Sequence, residues 1–142
     1  MKRTAKAHWN GDLNTGSGVI SSQSKVLDLT QYSFKTRFQD GIGTNPEELI
    51  AAADAGCFTM AVSAALTEAG FVAGNLDTEA ILDLDMAALS ITGIHLNLKA
   101  DPISGVSEEL FVKVAQGAKS HCIVSKALNV PISLTITYGE TS

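Results

Sequence analysis

An α+β fold is what this sequence predicts, and three observations carry the prediction. Short alternating segments fill residues 1–40, an uninterrupted apolar helix pattern occupies 46–69, and a ββαβ pattern runs through 79–142, giving the order βββ-α-ββ-α-β. No period of about 20–50 residues repeats, and no Gly/Ser or Pro tract separates the three portions, so they are read as one domain, 1–142. With 142 residues, 45% of them hydrophobic and 18% charged, the chain can bury one ordinary core.

The elements follow in order. "KAHWNGDL", the turn-rich "NTGSG", "VISS", "KVLDL" and "YSFKTRF" read as a three-stranded meander, with "GDLNTGSG" as a hairpin turn rather than a phosphate loop. Asn45 can cap a helix, Pro46 suits its first position, and Glu47 and Glu48 put negative charge in its first turn. That helix should end near Gly70. Strands are expected at Ile81–Met86 and Ile91–Ala100, where Ile94, Leu96 and Leu98 alternate with His95, Asn97 and Lys99. A second helix should start around Ser107 and run to the neighbourhood of Cys122. The closing strand, "PISLTITY", puts Ile132, Leu134, Ile136 and Tyr138 on one face.

Composition excludes several function classes. A net charge of −5 and a pI near 5.0 leave no basic footprint for nucleic acid. The longest apolar window, Leu49–Leu66, carries Asp54, Thr59 and Ser63 and is read as a core helix rather than a membrane span. The start, "MKRTAKAHWNGDLNTGSGVI", is broken by polar residues before any signal-like apolar region forms, so a cytoplasmic protein is expected. Two cysteines, 65 residues apart and outside any CxxC motif, do not make a disulfide framework. His8, His95 and His121 are scattered, so no metal is expected; His121 and Cys122, neighbours on a helix, would point about 100° apart.

The central helix raises a question of its own. It is apolar almost all round and rich in Ala and Gly, so something must wrap it, and an intertwined homodimer is a reasonable expectation. Cys57 lies in its middle, too deep for the helix N-terminus to activate it. Asp54, three residues earlier on roughly the same face, would oppose a thiolate. From spacing alone Cys57 is either an inert core cysteine or a reactive thiol that needs a cation from elsewhere.

"GTNPEELIAAADAGCF", followed at a distance by "AKSHCIVSKAL", resembles the OsmC/Ohr family of hydroperoxide reductases, and "KVLDLTQYSFKTRF" places the likeness nearer the OsmC branch than Ohr proper. The resemblance implies long central helices packed between curved sheets in an intertwined homodimer, with active sites at the subunit interface. It also implies that Cys57 is the peroxidatic cysteine, Cys122 the resolving one, Arg37 the cation facing the thiolate and Glu47 the acid that orients Arg37. Glu48, at the third helical position, is the competing acid and can instead cap Asn45. Glu47 is ten residues before Cys57, about 15 Å along one helix, so it is expected to serve the partner subunit's site. The chain departs from the family where Ile123 follows Cys122, a place often held by proline, so the helix break there rests on other residues.

The implied function is a thiol-dependent, two-cysteine peroxidase that reduces organic hydroperoxides, ahead of hydrogen peroxide, through a Cys57 sulfenic acid and a Cys57–Cys122 disulfide. No cofactor is implied beyond an external dithiol reductant, of which the dihydrolipoyl group of lipoylated proteins is the notable case. Two other readings stay open. One is a non-catalytic dimeric binding module with an apolar interfacial pocket, and the other is a transient metal-binding protein using the cysteines and histidines.

Overall fold

Hydrophobic alternation marks the three long strands of this chain's second sheet, each with one face turned inward. The computed structural model describes residues 1–37 and 41–139. The chain forms two compact units, residues 1–49 and 50–142.

In the first unit, β1 (Ala5–Asn10), β2 (Ser17–Ser22) and β3 (Thr30–Tyr32) make an antiparallel sheet in the order β1-β2-β3. The turn between β1 and β2 is built on Asp12, whose carboxylate accepts from the Thr15 hydroxyl at 2.6 Å and from the backbone N–H groups of Thr15 and Asn14 at 2.8 and 2.9 Å. Those bonds, the Thr15 hydroxyl first, hold the Asp12 pKa below the usual carboxylate range. "GDLNTGSG" is therefore a hairpin turn.

The meander is present, but its third strand is much shorter than the sequence suggests. "KVLDL" forms no strand because the backbone turns through positive φ at Lys25 and Leu29, and Lys35–Arg37 winds into a 3-10 turn. Phe38, the end of the expected strand, lies outside the described residues. Gly18 lets the sheet accept its aromatic residues: a Cβ there would stand 2.6 Å from a Tyr32 ring carbon and 2.8 Å from a Trp9 ring carbon.

Helix α1 (Pro46–Glu68) starts in the first unit and continues through the second. Its apolar character around the whole circumference is real, yet only one stripe is fully buried: Asp54, Phe58, Val62 and Leu66, spaced four apart. By length and composition it could also cross a membrane, but that stripe is the helix's contribution to the core of the second unit. Thr59 ties it to the sheet through a 2.7 Å hydroxyl contact with Thr78.

The sheet of the second unit is mixed. β4 (Leu76–Asp85) pairs antiparallel with β5 (Ser90–Ala100), and β5 pairs parallel with β6 (Ile132–Tyr138). A parallel pair needs a crossover, which α2 (Glu108–Lys119) and α3 (Ile123–Ala127) supply. β4 starts five residues earlier than expected, at Leu76, because Thr78 and Ala80 continue the alternation that Ile81–Met86 only finishes. On β5 the expected inward set, Ile94, Leu96 and Leu98, is buried.

Helix α2 is capped by Ser107, whose hydroxyl oxygen accepts from the Leu110 N–H, and it stops at Lys119. Phe111 on its inner face is fully buried and stacks on Tyr138 with ring centroids 4.5 Å apart. The Tyr138 hydroxyl holds the loop before α2, accepting from Ile103 N–H at 2.7 Å and donating to the Val106 carbonyl at 2.8 Å. Phe111→Ala is expected to remove about 3–5 kcal/mol of stability. Urea unfolding measures it, and a loss below about 1 kcal/mol would contradict this packing.

Candidate active site

The start of α1 distributes its polar groups among separate tasks. Gly43, at a φ of +104°, lets the chain close on β3, so that Thr44 N–H donates to the Gln31 carbonyl at 2.8 Å. Asn45 then caps the helix, its side-chain oxygen accepting from Glu48 N–H at 2.8 Å. The Glu48 carboxylate is engaged by the Thr44 hydroxyl at 2.8 Å. That leaves Glu47, which pairs with Arg37: Nε lies 2.8 Å from Oε1, with the two side chains 31% and 16% exposed. The contact is one of opposite charges rather than an aligned hydrogen bond, since among the described residues the buried Oε1 meets no N–H of good geometry. Between the two acids that could orient Arg37, the ion pair is with Glu47.

Beside Arg37 the first unit opens a pocket of about 270 Å³. Trp9, Tyr32, Phe34 and Leu13 give it apolar walls, and Arg37 and Ser33 supply polar groups. Trp9 meets Tyr32 edge to face at 5.5 Å, and the Arg37 guanidinium lies 6.0 Å above the Phe34 ring. In the sequence Trp9 and Tyr32 read first as sheet residues, either of which could also line a pocket; strand pairing, which sets Trp9 opposite Gly18 and Gly18 opposite Tyr32, shows that they share a wall.

The second unit brings the two cysteines together. Both are free; Cys57 is half-buried on α1 and Cys122 is fully buried. They are close enough to interact directly. Helix α2 ends without help from a proline: His121 N–H returns to the Ala118 carbonyl, Cys122 takes an extended conformation, and α3 begins after it. Cys122 caps α3 with its own sulfur, which accepts from Ser125 N–H at 3.4 Å. Burial is the main cause that pushes the Cys122 thiol pKa up, opposed by the neighbouring polar groups of Ser125 and reinforced by Cys57.

Asp54 does not face solvent, and its bonds run across to Cys122 and its neighbour. Its Oδ1 accepts from the Ser125 hydroxyl at 2.6 Å and from the Cys122 thiol at 3.6 Å, while Oδ2 is buried and accepts no hydrogen bond among the described residues. A half-satisfied buried carboxyl is destabilising by about 1–3 kcal/mol, more when charged. The signal was legible as an acid in an otherwise apolar i, i+4 stripe. Its partner Ser125 carried none that sequence alone exposes.

Among the described residues there is no cluster of three or more His, Cys, Asp or Glu that could hold a metal ion.

The OsmC-like protein family model matches residues 39–137. The chain belongs to the OsmC-like family. It is 43% identical over 136 residues to the peroxiredoxin OsmC of Escherichia coli K12, covering 94% of each chain, and equally so to the peroxiredoxin OsmC of Shigella flexneri. Solved structures share the fold: an organic hydroperoxide resistance protein OsmC of Legionella pneumophila gives a TM-score of 0.71 at 22% identity, over 99% of this chain and 98% of that one. The organic hydroperoxide resistance protein OhrB of Bacillus subtilis gives 0.65 at 23%, over 95% and 97%. The mixed α+β arrangement with two small sheets is thus that of the OsmC/Ohr proteins.

The raised Cys122 pKa has a consequence for stability. The folded state holds this proton more tightly than the unfolded chain, so the associated stability is fully present below pH 9.0 and is lost as pH rises through the raised value. The reduced protein should therefore lose more of its urea resistance as pH is raised past 9.0 than Cys122→Ala does. Parallel pH profiles for the two would contradict the burial of this thiol.

Proposed function

We propose that this protein is a two-cysteine thiol peroxidase acting on organic hydroperoxides. The observation that carries the reading is the meeting of Cys57 and Cys122, 65 residues apart in sequence, with the peroxidatic candidate the more exposed of the two. The name of its 43% identical relative, a peroxiredoxin, supports the same chemistry.

In this reading the Cys57 thiolate attacks one peroxide oxygen, the O–O bond breaks, and the alkoxide leaves as an alcohol once protonated. Cys57 is left as a sulfenic acid, which Cys122 converts to a disulfide. An external dithiol restores both thiols, and a dihydrolipoyl protein is the reductant we propose. A free thiol is roughly 3% ionised at pH 7, so full ionisation gains only about thirty-fold. Most of the acceleration must come from aligning the sulfur with the O–O bond and from stabilising the departing oxygen, the task we assign to Arg37. Glu47 holds the Arg37 guanidinium by the 2.8 Å ion pair. The aromatic pocket beside Arg37 suits the hydrocarbon part of an organic hydroperoxide better than it suits hydrogen peroxide.

We further propose that the protein works as a homodimer. One face of α1, with Ala52, Ala53, Gly56, Ala64 and the 74% exposed Met60, is apolar and uncovered in the single chain. Its small residues suit close approach by a second helix. Glu47 and Cys57 are ten residues apart on that helix, about 15 Å, so the Arg37–Glu47 pair of one subunit would act on the Cys57 of the other.

One equivalent of cumene hydroperoxide per subunit should consume both thiols and release one equivalent of cumyl alcohol. Cys57→Ser should abolish this, and Arg37→Ala should slow it by about 10²–10³. Thiols and alcohol that stay at baseline would replace the enzyme reading with that of a binding module. Mixing the Arg37→Ala and Cys57→Ser subunits tests the shared site. Recovery of up to about a quarter of wild-type activity is expected if sites form between subunits, and none if each subunit is self-sufficient.

A further inference from the structure

Asp54 is a buried acid that the chemistry just described does not use. It belongs to α1, one turn before Cys57, yet both hydrogen bonds its carboxyl accepts come from the segment that carries Cys122. We propose that Asp54 is the proton acceptor for Cys122 when the disulfide closes. The inference rests on the thiol-peroxidase reading and concerns its second half-reaction.

The geometry sets up such a transfer from both sides. The Cys122 thiol donates to Oδ1 at 3.6 Å, and the Ser125 hydroxyl anchors the same oxygen at 2.6 Å, which fixes the carboxyl plane. Ser125 also holds the sulfur, through its N–H at 3.4 Å, so one residue positions both donor and acceptor. Oδ2 accepts nothing from the described residues, which keeps one carboxyl oxygen available to a proton.

The need for an acceptor comes from burial. Cys122 is fully buried, and burial favours the neutral thiol over the nucleophilic thiolate. Bulk water is excluded from a side chain in that position, so the proton must be taken up locally as the sulfur reacts. The titratable groups facing Cys122 among the described residues are Asp54 and Cys57, both on α1; Ser125 on α3 does not titrate in this range, and the flanking His121 and Lys126 are exposed. Once Cys57 is a sulfenic acid, Asp54 is the base that remains.

The step balances without a further oxidant. Cys122 Sγ attacks the Cys57 sulfur while its proton passes to Asp54. The S–S bond forms, the Cys57 S–O bond breaks, and the departing hydroxide takes the proton from Asp54 and leaves as water. The Cys122 sulfur is oxidised by one unit and the Cys57 sulfur is reduced by one, and Asp54 returns to its starting state.

The test separates the two half-reactions in a single turnover with cumene hydroperoxide. Alcohol release times the first, and the decay of the Cys57 sulfenic acid still trappable by a dimedone quench at successive times, read by mass spectrometry, times the second. In Asp54→Asn, the ratio of closure rate to alcohol-release rate should fall about 10- to 100-fold near neutral pH. Closure in that variant should then accelerate about tenfold per pH unit on the alkaline side, as it comes to depend on the small thiolate fraction that pre-equilibrates with solvent, while wild type shows a flatter profile. Ser125→Ala keeps the carboxyl but removes its anchor. It should lower the ratio by about 3- to 10-fold, which keeps the proposal testable even if Asp54→Asn folds poorly. An unchanged ratio in the folded variants, or the same pH slope as wild type, would overturn the role of Asp54 alone. If wild type releases no alcohol and traps no dimedone adduct, the peroxidase reading falls and this step falls with it.

Discussion

The hydrogen bonds from Ser125 and Cys122 to a single buried oxygen of Asp54 are the contacts around which the chemistry of the second unit is arranged. Asp54 is separated from Ser125 by 71 residues and from Cys122 by 68, so these bonds join α1 to the start of α3 across most of the chain. A buried carboxyl is unfavourable unless its partners are held in place. The same requirement that satisfies Oδ1 therefore fixes where Cys122 stands relative to α1, and with it the approach of Cys122 to Cys57. The fully buried stripe of Phe58, Val62 and Leu66 continues from Asp54 along α1 and supplies the apolar contacts that keep this polar junction dry.

The break between α2 and α3 serves the same junction. A helix continuing past Lys119 would carry Cys122 around by about 100° per residue and would leave its N–H engaged in the helix. Here the chain straightens at Cys122, and its sulfur substitutes for the oxygen of an ordinary cap. The structural consequence is an asymmetry between the thiols: one half-buried and approachable, the other enclosed and held by hydrogen bonds. In the proposed chemistry the first meets the peroxide, and the second meets only its neighbour.

In the first unit the comparable economy lies at the start of α1. Four residues, Thr44, Asn45, Glu47 and Glu48, divide capping, carboxylate anchoring and ion pairing so that none competes for another's partner. Pro46 contributes by having no N–H to satisfy. Because Glu48 is taken by Thr44, the charge of Glu47 is directed to Arg37, next to the aromatic wall of Trp9, Tyr32 and Phe34.

Local chemistry was legible in the sequence wherever neighbours in the chain decide the outcome. Asn45-Pro46 announced a helix start, Ser107 announced another, and the alternation of Ile94, Leu96 and Leu98 announced which face of a strand is buried. The motifs around Cys57 and Cys122 carried the family, which the 43% identical relative bears out. Periodicity failed where backbone dihedrals overrule it: "KVLDL" alternates like a strand but turns at Lys25 and Leu29. Spacing along one helix was also silent on the partners of Asp54: its place three residues before Cys57 suggested opposition to a thiolate, and its hydrogen bonds run to Cys122 and Ser125. A sequence fixes which residues share a face of one helix, but which distant segment packs against that face is a long-range contact. Only the folded chain decides it, because the favourable burial of Phe58, Val62 and Leu66 selects the partner and the polar groups are placed by that choice.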